Sequence, residues 1–169
     1  MPDIKDNFLS PEDFEDLNKF ITGKYFPWGF ESNQDSKPSS SLNNWIMFHL
    51  FYHQPTDDSE DFTSRFSPCL EKIYDKLKAE RYFRIKANLT TPCGENHKSE
   101  FHTDFVPVIR DSKTSIFYLN TNNGWTEFED GTKVESVANR MVTFDGSVKH
   151  SAVRQTDKMT RIVINFNWK

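Results

Sequence analysis

Three side chains able to bind a transition metal, and one cation, stand in a fixed order through the second half of the chain: His102, Asp104, His150 and Arg161. The first two occupy i and i+2 in Phe101-His102-Thr103-Asp104. Strand side chains alternate between faces, so a strand here would project an imidazole and a carboxylate from one side. His150 follows the strand-like run Met141-Val142-Thr143-Phe144. Two His and one carboxylate with other positions open is the set that suits non-haem Fe(II) oxygen chemistry, whereas a structural zinc site closes four ligands. Arg161 lies inside Thr160-Arg161-Ile162-Val163-Ile164-Asn165-Phe166. An unpaired charge in so apolar a strand is strongly unfavourable, so the guanidinium must be paired or must receive an anion.

These residues, with Tyr118-Leu119-Asn120, carry a resemblance. From about residue 84 to the C-terminus the chain resembles the 2-oxoglutarate and Fe(II)-dependent oxygenases, in particular their prolyl-4-hydroxylase-like branch with its small single-domain bacterial and phage members. The resemblance implies that His102, Asp104 and His150 are the catalytic metal ligands and that Arg161 binds the distal carboxylate of 2-oxoglutarate, helped by Tyr118. Asn165, four positions past the Arg, stands where relatives carry a hydroxyl residue. Asn88 lies where relatives place a Tyr shortly before the HxD. Both are candidate cosubstrate contacts. The implied cofactors are Fe(II) and 2-oxoglutarate, with ascorbate as reductant, and the implied reaction is hydroxylation by O2 with release of succinate and CO2. The substrate stays open between a prolyl residue in a peptide and a small molecule.

Two other functions fit parts of the same pattern. Nucleic-acid demethylases of the alkylation-repair type share the triad but carry a second Arg six positions after the first, where this chain has Asn167. A non-catalytic cupin-like metal module would have no need of Arg161 and Tyr118. His49 and His53 form an HxxxH pair without the Glu of HExxH, and their aromatic neighbours suggest packing instead. His97 reads as a solvated loop residue in preference to one that faces substrate.

A chain of 169 residues, read as one domain over 1–169, holds a real core without disulfides. Cys69 and Cys93 form no CxxC pair, which suits a reducing compartment. The polar start has no signal-peptide pattern and no run is long enough to span a bilayer, so a soluble cytoplasmic protein is expected. A net charge of -4 gives no general attraction to nucleic acid. The sixteen Phe read as core filling.

These side chains need a scaffold, and its signals are of two kinds. Ser10-Pro11 opens a helix with Phe14, Leu17, Phe20 and Ile21 on one stripe and Gly23 as its stop. Ser67-Pro68 opens a second, ending near Glu80. Residues 27–44 read as a long loop and 45–52 as a buried strand, with a short helix as the alternative that periodicity leaves open. From 81 onward, strands are expected at 81–87, 114–120, 141–144 and 160–168, with a hairpin at Asp130-Gly131. The fold expected is mainly β: a double-stranded β-helix, or jelly roll, over about 81–169 with helical support over about 1–80. The loops 27–44 and 92–100 are expected to be mobile and to carry substrate specificity.

Overall fold

The computed structural model describes residues 1–32, 45–54, 60–92, 96–104 and 111–169. Helix α1 (Pro11–Thr22) starts as expected: the Ser10 hydroxyl accepts from the Asp13 backbone N–H at 3.2 Å and Pro11 takes the first helical position. It buries Leu17 and Ile21. The second helical segment begins as a 3-10 turn over Ser67–Leu70 and continues as α2 (Glu71–Leu77). It stops before Glu80 because Lys78 turns left-handed at φ 49, and the backbone N–H groups of Glu80 and Arg81 donate instead to the Lys169 carbonyl.

The strands are β1 (Asp3–Lys5), β2 (Gly29–Ser32), β3 (Trp45–His53), β4 (Phe62–Thr63), β5 (Tyr82–Thr90), β6 (Lys113–Tyr118), β7 (Trp125–Phe128), β8 (Lys133–Glu135), β9 (Arg140–Asp145), β10 (His150–Val153) and β11 (Arg161–Trp168). An eight-stranded antiparallel sheet runs β1-β9-β6-β11-β5-β3-β2, with β4 on β3, and a three-stranded sheet runs β10-β7-β8. The expected hairpin joins β7 to β8, with Gly131 supplying φ 84 at its turn. Leu17, Ile21, Leu70 and Ile73 of the helical segments pack with Ile85, Phe117, Ile162, Ile164 and Phe166 on one face of the large sheet. Ile116, Tyr118, Val142, Phe144 and Val163 on its other face meet Phe128 and Val134 of the small sheet. The mainly β jelly-roll expectation with flanking helices therefore holds.

The N-terminal half contributes more than helices. β1 pairs with β9, β2 falls inside the segment expected to be loop, and β3 bonds directly to β5. Residues 33–44 of that expected loop lie outside the described residues. No helix among the described residues is long and apolar enough to cross a membrane.

Asn139 fastens the N-terminal segment to the sheets. At φ 61, its buried side-chain amide accepts from the Leu9 N–H at 2.8 Å and donates to the Leu9 carbonyl at 2.9 Å. Asn tolerates this left-handed backbone better than most residues. Asn139→Gly keeps the backbone geometry but strands both Leu9 groups, and should lower stability by about 1 to 3 kcal/mol in urea unfolding. An unchanged midpoint would show that water replaces the clamp.

Candidate active site

β11 is buried along nearly its whole length, and its alternation sorts two environments. Ile162, Ile164 and Phe166 face the helices, while Arg161, Val163, Asn165 and Asn167 face the space between the sheets. That inner face reaches the metal candidates at one end and Arg161 at the other. Asn165 Nδ2 lies 3.2 Å from Asp104 Oδ2, and Asn167 Nδ2 lies 3.4 Å from the same oxygen.

His102, Asp104 and His150 converge, each offering one ligand atom within 4.8 Å of the others. His102 Nε2 is 3.9 Å from Asp104 Oδ1, and His150 Nε2 is 3.8 Å from Asp104 Oδ2. Both imidazoles turn Nδ1 to a backbone carbonyl, His102 to Glu100 at 3.0 Å and His150 to Val148 at 3.4 Å. A carbonyl only accepts, so Nδ1 carries the proton and Nε2 keeps the lone pair a metal needs. His150 is buried and His102 is exposed, so the group opens on the His102 side. Two imidazoles and one carboxylate, correctly tautomerised with one side open, fit Fe(II).

The route to this convergence differs from simple strand parity. His102 sits in an isolated bridge opposite His150, with each N–H bonded to the other's carbonyl, and Asp104 lies in a bend beyond it. Side-chain bonds aim the carboxylate instead: Asn165, Asn167 and Arg84, whose Nη2 is 3.3 Å from Asp104 Oδ1. Burial raises the Asp104 carboxyl, but His150, Arg84, His102 and the Asn167 hydrogen bond outweigh it and hold it below its ordinary value. Burial also pushes His150 below its ordinary value, partly offset by Asp104, and among the described residues Arg84 is the Lys or Arg side chain paired with the carboxylate.

Arg161 is 4% exposed. Its Nε donates to Ser136 Oγ at 2.9 Å and its Nη2 to Thr126 Oγ1 at 3.3 Å. Guanidinium carries five N–H donors, and among the described residues no carboxylate pairs with it. Burial pulls its pKa down, as expected for a cation held from water without a counter-charge. The Tyr118 ring lies 5.6 Å below the guanidinium, and its hydroxyl shares Thr126 Oγ1 at 2.7 Å. Gly124 leaves room for this seat, since a Cβ there would stand 3.0 Å from Arg161 Cδ and 2.7 Å from the Val153 carbonyl oxygen. Asn88, opposite Val163, and Asn165 each bury a side-chain oxygen with no hydrogen-bond partner among the described residues.

Four groups escaped the sequence reading: Arg84, Thr126, Ser136 and, as a partner of Asp104, Asn167. Arg84 and Asn167 were signalled only by alternation, since each shares its strand face with a candidate residue. His49 is packed as expected: Nδ1 meets the Pro27 carbonyl at 2.8 Å and Nε2 meets Ser64 Oγ at 2.9 Å, among Phe26, Phe51 and Phe66. Within 92–100, residues 93–95, including Cys93, lie outside the described residues. The rest departs from a mobile loop: the Arg154 N–H donates to the His97 carbonyl, the Ser99 N–H donates to the Ala152 carbonyl, and Lys98 bridges Val153. The free edge of β10 recruits this strip.

Solved structures share this architecture. A viral collagen prolyl hydroxylase from Paramecium bursaria Chlorella virus-1, in complex with 2OG, is 14% identical, with 98% of this chain and 93% of that one covered at a TM-score of 0.61. A Trichoplax adhaerens prolyl hydroxylase, bound to a hypoxia inducible factor oxygen degradation domain peptide fragment, is 12% identical, covering 99% and 83% at 0.66. A Pseudomonas putida prolyl-4-hydroxylase is 15% identical, covering 99% and 91% at 0.57. This chain has the 2-oxoglutarate oxygenase fold. Neither a protein-family model nor a curated protein matches it. Within the oxygenase fold, the His102-Asp104-His150 group is a possible iron site and Arg161 lies on the same interior.

The pH response follows from the two depressed pKa values. Unfolded His150 takes a proton near its ordinary value of 6.5, while the folded ring resists until lower pH. Its stabilising contribution is therefore present above 6.5 and lost as pH falls through the folded value. The Asp104 contribution is present above 3.8 and lost only in stronger acid. With chelator present, the thermal midpoint should fall from about pH 7 to about pH 5.5, and His150→Gln should flatten that decline. A flat wild-type profile would contradict the assignment.

Proposed function

We propose that the chain, as one domain over residues 1–169, is an Fe(II)- and 2-oxoglutarate-dependent dioxygenase. It would hydroxylate a C–H bond of an organic substrate, either a prolyl residue of a peptide or a small metabolite. The observation carrying this reading is Arg161: a buried cation with no carboxylate partner among the described residues, on the inner face of the strand that also holds the metal-side carboxylate through Asn165. A metal-binding module without a cosubstrate gains nothing from such a residue.

His102, Asp104 and His150 would hold the iron. When bound, iron and 2-oxoglutarate together supply oxidative chemistry that couples decarboxylation to succinate and CO2 with insertion of oxygen into the substrate. Arg161 would pair the distal carboxylate through charge-assisted hydrogen bonds, with Ser136 and Thr126 fixing the guanidinium so that little freedom is lost on binding. Tyr118 closes the wall behind it. Asn88 and Asn165 would line the cosubstrate between the two ends. Their buried oxygens are acceptors and a dicarboxylate offers none of the donors they lack, so water or substrate N–H groups would complete them. The nearly closed inner face would limit bulk solvent around the cosubstrate to a few bound waters, and the exposed His102 side would admit substrate. The proposed setting is the cytoplasm, with ascorbate serving as reductant in assays.

Two measurements test this. Aerobic incubation with Fe(II), ascorbate and 2-oxoglutarate should release succinate, and Asp104→Ala should abolish release while the folded spectrum persists. Succinate release unchanged in Asp104→Ala would remove the triad from the chemistry. In calorimetry with Mn(II) present, Arg161→Leu should weaken 2-oxoglutarate binding by about 2 to 5 kcal/mol. Normal binding by that variant would mean another cation does the work.

A further inference from the structure

Asp104 has two claimants. One is the metal, if the triad is read as above. The other is Arg84, which reaches across from β5 to place Nη2 3.3 Å from Asp104 Oδ1. This is not a casual surface pair: the Asp104 side chain is 5% exposed and the Arg84 side chain 24%. The guanidinium is also held from behind, since its Nε donates to Asn167 Oδ1 at 3.2 Å. Asn167 in turn donates through Nδ2 to Thr114 Oγ1 at 3.1 Å and toward Asp104 Oδ2 at 3.4 Å. Arg84, Asn167 and Asp104 thus form a closed ring of side-chain bonds across β5 and β11.

We infer that Arg84 is a positioning residue that acts as a resident counter-cation. It aims the Asp104 carboxylate when no metal is bound, and competes with the metal for that carboxylate when one is. The inference rests on the reading of the triad as a metal site. Asp104 lies in a bend, so no backbone ladder fixes its direction. A buried carboxylate without a counter-charge strongly destabilises a fold. A divalent ion placed on the same carboxylate meets a fixed positive charge within a few ångströms. The same residue therefore adds stability to the metal-free protein and subtracts from metal affinity, as the two arms of one thermodynamic cycle require. Asn165 and Asn167 are neutral donors that can keep bonding the carboxylate in both states, so Arg84 is the member of the cradle whose contribution changes sign.

The test compares wild type and Arg84→Met at pH 8 after chelator treatment. Thermal midpoints are taken with and without saturating Mn(II), and Mn(II) affinity is measured by calorimetry. Arg84→Met should lose thermal stability without metal, recover most of the loss with Mn(II), and bind Mn(II) about tenfold more tightly than wild type. Weaker Mn(II) binding by the variant, or an equal loss of midpoint with and without metal, overturns the inference, because Arg84 would then support the metal or merely the fold. If Arg84→Met does not fold even with Mn(II), Arg84→Gln decides. It removes the charge but keeps an N–H donor for Asp104, so tighter Mn(II) binding than wild type sustains competition and equal or weaker binding refutes it. A wild-type protein that binds no Mn(II) refutes the metal reading itself, and this inference falls with it.

Discussion

The burial of β11 on both faces is the constraint from which the rest of the site follows. On the helix side the strand presents Ile162, Ile164 and Phe166, which need no partners. On the inner side it presents Arg161, Asn165 and Asn167 to a space largely closed to water, and every polar group there must find a partner in the protein or in a ligand. The protein supplies Ser136 and Thr126 to Arg161, and Asp104 to both Asn residues. What remains unmet among the described residues is informative: a guanidinium without a carboxylate, and two amide oxygens, on Asn88 and Asn165, without donors.

Two buried charges of opposite sign thus share one interior without neutralising each other. Asp104 is tied to Arg84 from β5, and among the described residues the hydrogen bonds of Arg161 go to hydroxyls. Direct pairing of Asp104 with Arg161 would satisfy both electrostatically and leave nothing for a metal or a dicarboxylate. Keeping them apart costs stability, since an unmatched buried cation is unfavourable, and such local frustration is characteristic of functional sites. The outer core, in which aromatic and aliphatic side chains of the helical segments cover the far face of the large sheet, provides the compensating burial.

Much of this was legible in the chain. The order His102, Asp104, His150, Arg161 survives folding because it depends on residue type and separation, and the alternating segments became β5, β6, β9 and β11 with small shifts at their ends. Local pattern could not specify what tertiary pairing decides. β1 and β2 are too short and polar to announce themselves and exist because β9 and β3 offer them edges. Residues 97–100 contain no strand-like run, yet β10 pairs with them. Asp104 reaches the site through a bend and three side-chain donors, and Arg84 was indistinguishable by sequence from any charge on the wet face of a strand. Ser136 gives no signal at all, because its role is defined only by where Arg161 arrives.

The central claim is that one interior holds a metal at the triad and a dicarboxylate on Arg161 at the same time. A crystal structure of the protein grown anaerobically with Mn(II) and 2-oxoglutarate tests it most directly. The account predicts a metal ion bonded to His102 Nε2, one Asp104 oxygen and His150 Nε2 at about 2.0 to 2.3 Å, with the distal carboxylate of the same cosubstrate hydrogen-bonded to Arg161. Metal bound away from these three side chains, or 2-oxoglutarate seated with no contact to Arg161, would contradict it.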